Sequence, residues 1–158
     1  MPHDETFRLQ VLRDLAILDT PPEPALDDLV RTAAALFRAP ISLLTLLDEK
    51  RQWFKASFGL AIRETPIDCS FCAHVALGET PMVVEDAQLD ARFVDNPLVT
   101  GEPHIRFYVG APLLSSRGVT IGALCVIDTD ARHVVAETEL AVITKLARLA
   151  IFEIESKH

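Results

Sequence analysis

Cysteine is scarce in this 158-residue chain, and the three that occur, Cys69, Cys72 and Cys125, are an odd number in a domain large enough to be held by its core. A secreted disulfide framework is therefore not indicated, and reduced thiols are expected. Long apolar runs are also missing. The longest, such as Ile41 to Leu47, fall far short of the roughly 20 residues that cross a bilayer, so no membrane partner is expected. The start, Met1-Pro2-His3-Asp4-Glu5, lacks a basic region followed by an apolar one, which leaves a cytoplasmic protein as the expectation. Basic residues are in deficit, 15 against 23 acidic, and a formal charge of −8 repels a polyanion and argues against a nucleic-acid partner. No internal repeat, low-complexity tract or linker is present.

What is present suits one globular domain: 49% of the residues are apolar and 24% charged, enough burial to offset ordering entropy. Phe7, Val11, Leu15 and Leu18 recur at helical spacing, predicting a helix over about 5–18 that Asp19-Thr20-Pro21-Pro22 ends. A second apolar stripe, Leu26, Leu29, Val30, Ala33, Leu36 and Phe37, begins the core segment, 24–132. Ile41–Leu47 and Gln52–Phe58 read as a hairpin, with Phe54, Ala56 and Phe58 on one face and Trp53, Lys55 and Ser57 on the other. Between Ala61 and Gly101 the pattern is irregular, with a short helix at Ser70–Leu77 and a short strand at Met82–Glu85. A second hairpin spans Ile105–Leu114 and Val119–Asp128, and a final helix covers 136–157. Leu146, Leu149 and Phe152 widen that helix's stripe beyond one face, so it is expected to pack on the sheet and on a second helix as well.

This order predicts an α+β domain with an antiparallel sheet of five or six strands. Long N- and C-terminal helices should cover one face, and a ligand pocket should lie under the loops on the other.

Several segments then resemble GAF domains of bacterial signalling proteins. They are Ile17-Leu18-Asp19-Thr20-Pro21-Pro22-Glu23, Arg51-Gln52-Trp53-Phe54-Lys55, Glu64-Thr65-Pro66, Ser70-Phe71-Cys72-Ala73-His74 and Val84-Glu85-Asp86-Ala87. Asp90-Ala91-Arg92-Phe93, Asn96-Pro97-Leu98-Val99, Ile105 to Gly110 and Gly122 to Asp128 follow in the same order, covering about 8–132. The resemblance implies a six-stranded antiparallel sheet, a homodimer through the terminal helices, and a small-molecule pocket on the opposite side. It also implies a histidine kinase or a cyclic-di-GMP enzyme such as a diguanylate cyclase as effector, in cis or in trans, as in two-component signalling. Whether the chain is a stand-alone regulator or a fragment stays open.

The pocket candidates are Cys72, His74, Asp86, Asp90, Arg92, Phe93, Asn96, Arg106, Phe107 and Tyr108. Asp86, Asp90, Arg92, Asn96 and Arg106 concentrate polar groups at the expected mouth, with Phe93, Phe107 and Tyr108 as apolar walls. The competing reading is that Asp86 and Asp90 cap turns, that Asn96-Pro97 starts one, and that Asp90 pairs with Arg92 or Arg106. Phe71, His74 and Val75 are expected to share the inward face of the short helix. Cys69, Cys72 and His74 are only three local ligands, so no metal and no cofactor are expected, and Cys125 reads as core.

The leading expectation is a regulatory binding module without catalysis, in which Arg92 or Arg106 anchors a small polar or anionic ligand. A thiol-dependent reductase of free methionine sulfoxide, seen among some GAF-like proteins, is one alternative. A ligand-free structural dimeriser is another. The Asn-Lys-x-x-x-Phe-Asp-Glu pattern of cyclic-nucleotide binders is absent, as is the cysteine and histidine setting that attaches bilins.

Overall fold

Alternation along the central strands decides which side chains meet. In the computed structural model, which describes residues 5–67, 71–75, 80–132 and 135–157, Ile41–Leu47 forms β1 at the middle of the sheet. Leu44 and Leu46 point to one face, and Ile41, Leu43 and Leu47 to the other. The remaining strands are β2 (Arg51–Phe58), β3 (Glu64–Pro66), β4 (Met82–Val84), β5 (Phe107–Leu114) and β6 (Thr120–Asp128). They form one antiparallel sheet in the order β3-β2-β1-β6-β5-β4. The sixth strand is β3, three residues that pair with Arg51, Gln52 and Trp53.

One face carries three helices: α1 (Glu5–Asp14), α2 (Pro24–Phe37) and, on the far side of the sequence, the 21-residue helix Glu137–Lys157. Their apolar stripes pack on Leu44, Leu46, Trp53, Phe107, Val109 and Leu124 to make the larger core. The other face is covered by α3 (Cys72–Val75), the loop after β4 and α4 (Pro97–Thr100). With those two short helices numbered, Glu137–Lys157 is α5. Among the described residues, no helix is long and apolar enough to cross a membrane.

At two elements the structure departs from the sequence expectation. The first helix stops at Asp14 rather than Leu18, because Ala16 adopts a left-handed conformation, φ 51°, that ends the helical ladder. Leu18 still packs against the core from the linker. The second concerns β2, where the strict alternation fails: Leu44 pairs with Ala56 but Thr45 pairs with Phe54, so Lys55 is an extra residue, a β-bulge. Trp53 and Ala56 therefore face the helices and Phe54 faces the loops, whereas simple period two had put Phe54 and Ala56 together. Of the short helix predicted at Ser70–Leu77, Cys72–Val75 is helical; Ser70, Ala76 and Leu77 lie outside the described residues, as does Cys69.

The bulge turns the Lys55 side chain toward the α1–α2 linker, where it is fully buried. Its ammonium donates to Thr20 Oγ1 at 2.7 Å and to the Pro21 carbonyl, and it pairs with Glu23 Oε2 at 2.9 Å. Arg51, the first residue of the same motif, ties Asp19 (2.7 Å), Asp48 (3.1 Å) and Glu64 (3.0 Å) together. Both cations fasten the linker to the β1–β2 hairpin, which is a structural use for the Arg51-Gln52-Trp53-Phe54-Lys55 motif.

Candidate functional site

The loop-side layer is built on an aromatic stack. The Phe71 and Phe93 rings lie nearly parallel, 4.0 Å apart, and Phe71 tilts against Tyr108 at 5.1 Å. Below this stack, between the loops and the sheet, is a cavity of about 30 Å³. Leu43, Phe54, Phe71, Cys72, Tyr108 and Cys125 form most of its inner wall, and Leu60, Ile62, Leu98 and Pro103 form the outer rim.

Tyr108 reaches the centre of this layer because Gly110, two residues along the same face of β5, has no side chain. A Cβ at Gly110 would stand 2.3 Å from the Tyr108 hydroxyl. The ring lies over that vacant position and brings Oη to 2.8 Å from Cys72 Sγ. Cys125 on β6 stands beside them, paired in register with Gly110 on one side and Leu43 on the other. Burial raises the thiol of Cys72, but hydrogen bonds from Cys125, Thr45 and Tyr108 outweigh it and leave Cys72 below the usual cysteine range. Cys125 and Tyr108 are both pushed well up, first by burial and then by the neighbouring Cys72. Two thiols and a phenol thus share one buried site, with Cys72 the more acidic of the thiol pair.

The structure places the remaining candidates around this centre rather than in it. Cys72 packs inward, but the buried face of α3 is Phe71, Cys72 and Val75, and His74 is on the exposed side. Its ring meets Phe93 edge-on at 4.9 Å. Phe107 faces the helices, against Phe37 at 6.3 Å and beneath the Arg132 guanidinium, so it is no pocket wall. Its neighbour Tyr108 is on the loop side, and adjacent strand residues cannot share a face.

The polar candidates are engaged with one another. Asp86 caps the 3-10 turn Ala87–Leu89 through Gln88 N and accepts two hydrogen bonds from Arg106, at 2.8 and 2.7 Å. Asp90 accepts from the backbone N–H and the guanidinium of Arg92, and Asn96 caps α4 through Leu98 N. Asp86 and Asp90 border a separate open groove of about 540 Å³ with Val83, Glu85, Leu89 and Ala91. Arg106 therefore pairs with Asp86 and not with Asp90. Among the described residues no group of three or more His, Cys, Asp or Glu side chains could hold a metal ion.

Sequence reasoning read Cys125 as core, which it is, but missed that it also floors the site. The signal was available in the strand parity: Cys125 falls on the same face as Ala123 and Ile127, which line the loop side.

The sheet order and the loop-covered face agree with comparisons to known proteins. The profile of the GAF domain matches residues 21–154, most of the chain. The chain belongs to the GAF family. This GAF domain is 44% identical over 155 residues to the cyclic di-GMP phosphodiesterase PA2567 of Pseudomonas aeruginosa, matching 98% of the chain and 26% of that protein. It thus spans about a quarter of the curated relative. Among solved structures, the GAF domain from the Acinetobacter phosphoenolpyruvate-protein phosphotransferase superposes with a TM-score of 0.69 at 22% identity, covering 98% of this chain and 96% of that one. A type II free methionine-R-sulfoxide reductase from Thermoplasma acidophilum superposes with a TM-score of 0.63 at 12% identity, over 84% and 93%. Likeness at such identities shows the GAF fold shared by proteins of different activity.

Proposed function

We propose that this GAF domain is a small-molecule-responsive regulatory module that works as a dimer joined along α5 and controls an effector acting on cyclic di-GMP. The supporting observation is that one sheet carries two apolar layers with different fates. The loop-side layer closes over a cavity between Cys72, Tyr108 and Cys125, while α5 leaves Val142, Leu149 and Phe152 bare on the opposite side, Phe152 at 70% exposed. Strands β5 and β6 contribute to both layers, so a change on one side reaches the other through shared backbone. The relative that is 44% identical, a cyclic di-GMP phosphodiesterase, supports this effector class.

A cavity of about 30 Å³ is far below the roughly 300–1,000 Å³ of small-molecule pockets, so the described geometry is a closed form. A ligand must then favour an opened form, with differential affinity for the two. An anionic ligand would compete with Asp86 for Arg106 or with Asp90 for Arg92. The domain regulates without turnover.

The closed, self-filled cavity also favours a second reading, a ligand-free structural dimeriser. Thermal denaturation against a panel of small polar and anionic metabolites separates the two. A compound at a hundred times its Kd adds about 2.7 kcal/mol of stability. At roughly 2–4 °C per kcal/mol for a domain of this size, that raises Tm by about 5–10 °C. The sensing reading expects such a shift with the compound recovered unchanged; no shift across the panel supports the structural one.

A further inference from the structure

We propose that Cys72 and Cys125 are a peroxide-reactive dithiol, oxidised by hydrogen peroxide to an intramolecular disulfide that ties α3 to β6. Three observations meet here. The two thiols come from segments 53 positions apart (125 minus 72) yet line the same cavity, and Tyr108, whose Oη is 2.8 Å from Cys72 Sγ, lies over Gly110, the register partner of Cys125. Neither is held in a disulfide. The cavity is large enough for one very small molecule: each water needs roughly 10–15 Å³, so about 30 Å³ accepts two heavy atoms and no more. That admits an oxidant as small as hydrogen peroxide, and the half-buried or exposed rim residues Leu60, Ile62, Leu98 and Pro103 stand between the cavity and solvent.

The chemistry balances with the two thiols alone. Cys72 reacts as its thiolate, to which Tyr108 Oη then donates a hydrogen bond, and attacks one peroxide oxygen. An S–O bond forms, the O–O bond breaks, and the leaving hydroxide takes up the proton that Cys72 released on becoming a thiolate, giving water. Cys125 then attacks the Cys72 sulfenic acid: the S–S bond forms, the S–O bond breaks, and the Cys125 proton leaves in a second water. Two thiols lose two electrons and two protons, and one peroxide becomes two waters. The raised value of Cys125 keeps it protonated until the second step, which suits the resolving thiol.

Such a bond would hold the α3 lid on the central sheet and keep the cavity closed. That consequence rests on the sensing reading above; the thiol chemistry does not.

The test starts from reduced protein freed of reductant, treated with hydrogen peroxide, then unfolded for thiol counting and peptide mapping. Wild type should fall from three free thiols per chain to one, with Cys72 and Cys125 in one linked peptide and dithiothreitol restoring all three. Cys69→Ala should form the same linked peptide and keep no free thiol. Cys125→Ala should accumulate a sulfenic acid on Cys72 that dimedone traps; if this variant does not fold, the wild-type map decides. A bridge through Cys69, sulfinic acid on Cys72 without a bridge in wild type, or three unchanged thiols would overturn the proposal.

Discussion

Lys55 has no exposed side-chain surface, and its charge is answered by Glu23, Thr20 and the Pro21 carbonyl. Glu23 keeps a longer contact with Lys157 at 3.9 Å. Removing the buried ammonium still takes away the 2.9 Å partner of Glu23 and the donor to Thr20 and the Pro21 carbonyl, and breaking a buried pair typically costs more than the pair itself contributes. Lys55→Met should therefore destabilise by about 3 kcal/mol, measurable as a Tm lowered by roughly 6–12 °C. A Tm within the scatter of wild type would mean the linker is not held by this contact. His74 gives a prediction in pH. Desolvation of its packed side, then Arg92, hold the imidazole below its usual value, with Asp90 acting the other way. The unfolded chain titrates near about 6.5 and binds protons that the folded domain refuses, so stability rises with pH across that interval. The contribution is complete above about pH 6.5 and is lost as pH falls through the folded value. Between about pH 7.5 and about pH 5, wild type should lose more Tm than His74→Gln. Asp90, kept low by its hydrogen bonds from Arg92, loses its own contribution only below about pH 4 and does not interfere. Equal losses in the two proteins would remove the assignment.

At the level of elements, β1 was legible to the residue because Ile41–Leu47 is an apolar-rich stretch, broken only by Ser42 and Thr45, between a proline and a turn. The bulge at Lys55 was not, since an inserted residue changes the facing of Phe54 without changing the composition of the strand. The three-residue strand β3 was hidden for a different reason: Glu64-Thr65-Pro66 has no apolar pattern and is made a strand only by pairing with Arg51–Trp53. The site was half visible. Cys72 and Tyr108 were recognised from motif and apolar pattern, but their meeting depends on Gly110, whose missing side chain admits the Tyr108 ring, and on Cys125 arriving from β6. The polar rim was ambiguous because Asp, Asn and Arg serve a ligand and a turn equally well, and here they hold one another. The β1–β6 contact carries its own prediction. A Cβ at Gly122 would lie 1.8 Å from the Thr45 carbonyl oxygen, a backbone atom that cannot move without parting the strands. Gly122→Ala should cost more than about 4 kcal/mol or abolish folding, as read by circular dichroism and denaturant titration. A variant of near-wild-type stability would show that the two central strands are not this close.

Over the whole molecule, the helical face is where the sequence pattern and the fold leave an unsettled surface. Ile143, Ala147, Ala150, Ile151 and Ile154 of α5 pack on the sheet and on α2, yet Val142, Leu149 and Phe152 continue the stripe into solvent at 39%, 55% and 70% exposure. Spacings of seven and three along one helix are those of a seam between two helices. We propose that this seam takes a second copy of the chain and forms the output side of the domain. Native mass spectrometry at micromolar concentration tests this most directly. Wild type is predicted to be a dimer, and the double variant Leu149→Glu, Phe152→Glu a folded monomer of unchanged helical circular dichroism. A wild-type monomer, or a dimer that survives both substitutions, would contradict it.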